Sequence, residues 1–183
     1  MASARIFGAA TELLEDGLAR RKPNGLVLEF GVYNGRTINF IAERASEQIV
    51  FGFDTFSGLP EDWRPGFARG AFATTIPEVL PNVGLVVGLF EDTLPAFLAT
   101  HPGPASFIHV DCDLYSSTRT VLKLCRDRIE AGTVIVFDEY RNYPGWQNHE
   151  HKAFLEFVAE ERRSFEYVSW IPDGEQIGVL MTE

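Results

Sequence analysis

The stretch Val27-Leu28-Glu29-Phe30-Gly31-Val32-Tyr33-Asn34-Gly35 constrains the fold more than any other part of the chain. An apolar run ends in an acid, and a glycine loop then opens a helix-like segment. A second apolar run, Val50-Phe51-Gly52-Phe53-Asp54, comes next and also ends in an acid. Strand, glycine turn, helix, strand and acid, in that order, build a ligand crevice at the C-terminal ends of parallel strands. The alternation continues: strands are predicted near Gly25–Phe30, Ile49–Phe53, Gly84–Val87, Ser106–Val110 and Thr133–Phe137. Helices are predicted over about Gly35–Ala45, Thr93–Thr100, Ser117–Ile129 and Asn148–Arg163. An amphipathic helix over about Ala4–Arg21 comes first, with Ile6, Phe7, Ala10, Leu13, Leu14 and Leu18 at helical spacing. Phe165–Ile171 and Gln176–Met181, joined by Pro172-Asp173-Gly174-Glu175, read as a closing hairpin.

The expected fold is therefore α/β: a single-domain, Rossmann-like, doubly wound seven-stranded sheet. It is mostly parallel, with one antiparallel strand in the C-terminal hairpin. The domain spans 1–183, with 1–24 as N-terminal helix and linker. The glycine- and aromatic-rich segment after Asp54 reads equally as a flap over the crevice and as a surface connection.

Charge selects among ligands. The loop is G-x-x-x-G rather than G-x-G-x-x-G, and Glu29 stands two residues before its first glycine. A carboxylate there repels a pyrophosphate but suits an ammonium beside a sulfonium. Asp54 can accept hydrogen bonds from ribose hydroxyls. These features favour S-adenosylmethionine over NAD. The plainer reading is a glycine turn with Glu29 and Asp54 solvated at strand ends.

The net charge of −10 disfavours nucleic acid or an anionic membrane as a partner. Cys112 and Cys125 make neither a disulfide framework nor a zinc pattern. The start, Met1-Ala2-Ser3-Ala4-Arg5, leads into no long apolar run, so neither a signal peptide nor a membrane span is expected, and a cytoplasmic location follows.

Asp111 ends the fourth predicted strand, and Asp138 and Glu139 end the fifth. In a doubly wound sheet the three carboxylates converge at the crevice mouth, where a hard divalent cation would relieve their repulsion. The alternative is a cofactor or amide contact for Asp111 and solvated loop acids for the other two. Asp113 reads as a turn or helix-cap acid. In Trp146-Gln147-Asn148-His149-Glu150-His151 the histidines are two apart, which is not the zinc H-E-x-x-H pattern. His149, on a loop before the last helix, is the candidate general base, with Asn148 as helix cap in the competing reading. His109 reads as a packed strand residue. Trp63, Tyr33, Tyr115, Tyr140, Tyr143 and Trp146 are candidates for an aromatic substrate floor, or for ordinary packing.

The segments around Glu29–Gly35, Gly52–Pro60, His109–Thr118 and Val134–Tyr140 together carry a resemblance. The chain resembles the macrocin O-methyltransferase group of class I S-adenosylmethionine-dependent methyltransferases, in which a terminal hairpin is typical. That resemblance implies a magnesium-dependent O-methyltransferase acting on a hydroxyl of a small molecule, such as a glycosylated natural product. It implies that Glu29 and Gly31 hold the methionine end, Gly35 starts the helix and Asp54 takes the ribose. Phe90 and Glu91 would lie near the adenine, with Asp92 or Thr93 capping the next helix. Asp111, Asp138 and Glu139 would hold Mg2+, Asp111 sharing in catalysis with His149. The chain departs from the group in its short N-terminal region, which makes a homodimer plausible, and in Glu139, where aspartate is usual. A catechol-type O-methyltransferase is the runner-up, although Leu114 stands where that group places a lysine base. A non-catalytic S-adenosylmethionine-binding module is the alternative outside enzymes, and a NAD-linked oxidoreductase is disfavoured by the glycine spacing.

Overall fold

The structure, a computed structural model, describes residues 4–183. Met1, Ala2 and Ser3, part of the start expected to lack a signal peptide, lie outside the described residues. The elements run β1 (Arg5–Ile6), α1 (Ala10–Arg20), β2 (Leu26–Phe30), α2 (Arg36–Arg44), β3 (Val50–Asp54) and β4 (Val83–Val87). They continue with α3 (Phe90–Thr100), β5 (Ala105–Val110), α4 (Tyr115–Leu124), β6 (Val134–Phe137), α5 (Glu150–Glu160), β7 (Phe165–Trp170) and β8 (Ile177–Met181).

Among the described residues one sheet holds every strand, in the order β1-β7-β8-β6-β5-β2-β3-β4. Only β8 runs against the rest, pairing antiparallel with both β6 and β7. The sheet has eight strands rather than the expected seven. The additional one is β1, which pairs parallel with β7 at Arg5↔Ser169 and Ile6↔Trp170. The first helix accordingly starts at Ala10, not near Ala4. An edge strand with unpaired backbone groups competes for that segment: Phe7 N–H donates to Trp170 O, and the Arg5 guanidinium bonds Asp16.

Helices cover both faces of the sheet. Leu28, Phe30, Ile108, Val110, Ile135 and Phe137 face a core shared with α3, α4 and α5. Val27, Phe107, Val134 and Val136 point the other way, into a core with Leu13, Leu14 and Leu18 of α1 and Ile38 and Ile41 of α2. Burial on both faces explains why these strands read as continuous apolar runs rather than alternating ones. From β2 the chain winds outward to β4, then returns to place β5 on β2's other side. That reversal opens the crevice between the ends of β2 and β5. Among the described residues no helix is long and apolar enough to cross a membrane.

Candidate active site

The crevice is built from the residues just beyond the strand ends. Gly31 N–H donates to Phe53 O, Asp111 N–H to Phe30 O, and Asp138 N–H to Val110 O. Each strand thus hands its next residue to the neighbouring strand, so the three strand ends form one shelf. Gly31 is obligatory there. Its φ is +93°, and a Cβ would stand 1.7 Å from the Asp111 carbonyl oxygen. The glycine loop and the carboxylate-bearing loop therefore touch through their backbones.

Above the shelf lies a cavity of about 360 Å³, within the size range of small-molecule sites. Gly31, Asp54, Phe90, Glu91, Asp111 and Glu139 line it, as do Tyr33, Asp113 and Ser116. Leu59, Pro60, Glu61 and Phe72 of the β3–β4 connection form one wall, so that segment covers the crevice. It is anchored by Trp63 packed on Leu114 and Tyr143, and by Arg64, which bonds both Glu175 carboxylate oxygens at 3.1 Å.

Asp54 organises the loop. Its Oδ2 accepts the Val32 and Tyr33 N–H groups at 2.8 Å each, and Oδ1 accepts the Phe56 N–H at 2.8 Å. With two lone pairs per oxygen, Oδ1 keeps room for one further donor.

Asp111, Asp138 and Glu139 each offer a carboxylate oxygen, and these atoms all lie within 4.8 Å of one another. All three residues are half-buried. Burial and the Asp138 carboxylate push Asp111 well above the usual carboxylate range, and the same two causes push Glu139 up. The donors are all hard oxygens, which fits Mg2+ or Ca2+ and not a thiophilic ion.

Asp113 enters the cavity as well. It is 6% exposed, sits in the left-handed region at φ 63°, and is pushed up to about 7 by burial against the opposing pull of Arg64. It does not cap α4; Leu114 is the N-cap residue and makes no side-chain cap bond. Likewise α3 begins at Phe90 behind Leu89, so neither Asp92 nor Thr93 is its cap; the Thr93 hydroxyl instead donates to Leu89 O.

Several expected site residues lie elsewhere. The Glu29 carboxylate does not reach the cavity. It is fully buried against His109, with Oε1 2.9 Å from Nδ1, because the two residues are cross-strand neighbours on the α1–α2 face. Gly35 is the N-cap of α2 in a left-handed turn, set against Pro77, and does not line the cavity. His149 does not line it either. Its ring lies 6.5 Å from Trp63 and 6.0 Å from Tyr143, and burial holds its imidazole below the usual value. His149, not Asn148, occupies the N-cap position of α5, and its side chain makes no cap bond. Of the proposed aromatic floor only Tyr33 lines the cavity; Trp63, Tyr140 and Tyr143 are buried in packing.

Two residues went unnoticed in the sequence. Arg64 bonds Glu175, and its charge pulls against the rise of Asp113. Glu150 is fully buried and accepts the Glu139 N–H at 3.1 Å. A signal for Glu150 existed, since it continues the buried stripe Ala153, Phe154, Phe157 and Val158 on α5.

The reversed final strand, the glycine loop at the switch point and the acids at successive strand ends define a class I methyltransferase-type domain. The chain belongs to the Methyltransf_24 family of methyltransferase domains, whose profile matches residues 28–140, more than half of its length. An 8-demethyl-8-(2,3-dimethoxy-alpha-L-rhamnosyl)-tetracenomycin-C 4'-O-methyltransferase from Streptomyces olivaceus is 28% identical in a match that covers 69% of this chain. This chain spans 57% of that relative's length. The crystal structure of CalS11, a calicheamicin methyltransferase, superposes with a TM-score of 0.75 at 26% identity, covering 93% of this chain and 78% of that one. The O-methyltransferase NovP shares the fold with a TM-score of 0.71 at 20% identity, covering 94% and 79%.

Proposed function

We propose that this chain transfers the methyl group of S-adenosylmethionine to a hydroxyl oxygen of a small molecule, with Asp111, Asp138 and Glu139 holding a magnesium ion. The observation that carries the reading is the convergence of those three carboxylates within 4.8 Å beside a cavity lined by Asp54 and Phe90. A divalent ion held there would supply Lewis-acid polarisation of the acceptor hydroxyl and a fixed template for it.

The chain's own residues do the rest. Asp54 fixes the glycine loop and offers Oδ1 to a ribose hydroxyl. Phe90 and Glu91, at the first turn of α3, flank the place for the adenine. Gly31 permits close approach of the methionine end. The cavity wall from Leu59 to Phe72 keeps water from the sulfonium. Bound there, S-adenosylmethionine would supply a methyl group on a sulfonium: the acceptor hydroxyl oxygen would form the new C–O bond as the S–CH3 bond breaks, and S-adenosylhomocysteine would leave as the neutral thioether. Asp113 takes the hydroxyl proton; it faces the cavity two residues from Asp111, whereas His149 faces the aromatic cluster.

The name of the relative from Streptomyces olivaceus supports a glycosylated natural product, in particular a deoxysugar hydroxyl, as the acceptor class. The test is transfer of labelled methyl from S-adenosylmethionine to a rhamnosylated aromatic polyketide. Activity lost in EDTA and restored by Mg2+ is expected. Undiminished activity in EDTA would remove the metal from the mechanism.

A further inference from the structure

We infer that Glu150 is a positioning residue for the metal-holding carboxylates, a role that rests on the reading of Asp111, Asp138 and Glu139 as ligands. Glu150 is the first residue of α5 and its side chain is fully buried. It occupies a place on the helix where Ala153, Phe154, Phe157 and Val158 all pack inward. An apolar residue would extend that packing, and a buried carboxylate is far more costly there. The acid therefore needs a reason.

Its hydrogen bond supplies one. Oε2 accepts the Glu139 backbone N–H at 3.1 Å, from the loop after β6. One buried carboxylate on α5 thus holds the backbone of the loop that carries Asp138 and Glu139. Its Oε1 has no hydrogen-bond partner, so the group is not satisfied by its surroundings in the ordinary way. A helix-start acid that merely favoured the dipole would sit in water and bond its own helix amides. This one reaches away from its helix to the backbone behind a ligand. Partners behind a metal's ligands orient them, and losing one typically costs 10–100-fold in metal affinity.

The test is Mn2+ titration followed by electron paramagnetic resonance on the full chain, with S-adenosylhomocysteine titration and thermal melts alongside. Three proteins are compared: wild type, Glu150→Gln and Glu150→Leu. Leu removes the Glu139 amide contact, and its Mn2+ affinity is expected to fall about 10-fold or more while S-adenosylhomocysteine affinity holds. Gln keeps a carbonyl oxygen for the Glu139 amide and is expected to stay within about threefold of wild type. Leu should melt at or above the wild-type temperature, because replacing a buried charge by an apolar group is often neutral or stabilising. A purely structural role would lower the melting temperature and leave metal affinity alone. Equal Mn2+ affinity in wild type and Glu150→Leu would overturn the inference. Should the Leu variant not fold, a fall of more than about 10-fold in Glu150→Gln would overturn it instead. Absence of Mn2+ binding by wild type would remove the metal reading itself, and this inference with it.

Discussion

Asp138→Asn should make the metal-free protein more stable while removing its response to magnesium. The Asp138 carboxylate lies within 4.8 Å of oxygens of both Asp111 and Glu139. At that separation each pair of full charges repels by roughly 3 kcal/mol at an effective dielectric of about 20. Part of this is already relieved, because Asp111 and Glu139 hold their protons to higher pH. After that discount and solvent screening, removing one charge from the trio should stabilise by about 2 kcal/mol. For a chain of this size that is an increase of about 4–8 °C in melting temperature. Asp138 forms no side-chain hydrogen bond within the described residues, so the substitution removes no contact of that kind. The assay is a thermal melt at about pH 8, in EDTA and with saturating Mg2+; alkaline conditions favour the charged carboxylates. Wild type should melt higher with Mg2+; the variant should melt higher than wild type in EDTA and be indifferent to Mg2+. A variant that melts lower in EDTA, or that keeps the full Mg2+ shift, would refute the reasoning. This is the trade of stability for function expected where like charges are assembled for a ligand.

Other substitutions and conditions probe the same geometry. Gly31→Ala places a Cβ 1.7 Å from the Asp111 carbonyl oxygen, and should destabilise by more than about 3 kcal/mol, read by chemical denaturation; an unchanged midpoint would refute the close approach. Asp113→Asn should lower methyl transfer by about 10²–10⁴-fold while His149→Gln leaves it nearly unchanged, and the reverse pattern would return the base to His149. The metal-free protein should lose stability as pH rises from about 6.5 to 8. Asp113 is raised from 3.8 to about 7, so the folded state binds more protons than the unfolded one, and that contribution disappears as pH passes the folded value. His149 and His151 are both lowered, so they favour the folded state above about 6.5 and oppose this trend only below it. A melting temperature that rises over that window in EDTA would contradict the sign.

The sheet was legible because strands buried on both faces leave unbroken apolar runs, and glycine with an acid marks their ends. The carboxylate trio was legible for the same reason: topology alone brings the residues after β5 and β6 together. What failed was local. β1 is two residues long and exists through pairing with β7, a contact invisible to periodicity. Glu29 stands at a strand end like Asp111, but it points to the α1–α2 face, where His109 from the neighbouring strand meets it. Strand alternation decides such a matter, and the residues Val27 and Glu29 share that face. His149 looked like a base because histidine titrates near neutrality, yet the turn before α5 aims it at Trp63 and Tyr143. Asp113 resembled a cap acid, and only its left-handed backbone aims it differently.

Everything proposed for the site requires that the cavity above Gly31 and Asp54 take S-adenosylmethionine. The decisive measurement is calorimetric titration of the wild-type chain with S-adenosylhomocysteine, with NADH as control. Saturable binding of S-adenosylhomocysteine, weakened by Asp54→Ala, with no heat from NADH, is the predicted result. Binding of NADH with none of S-adenosylhomocysteine would contradict the assignment.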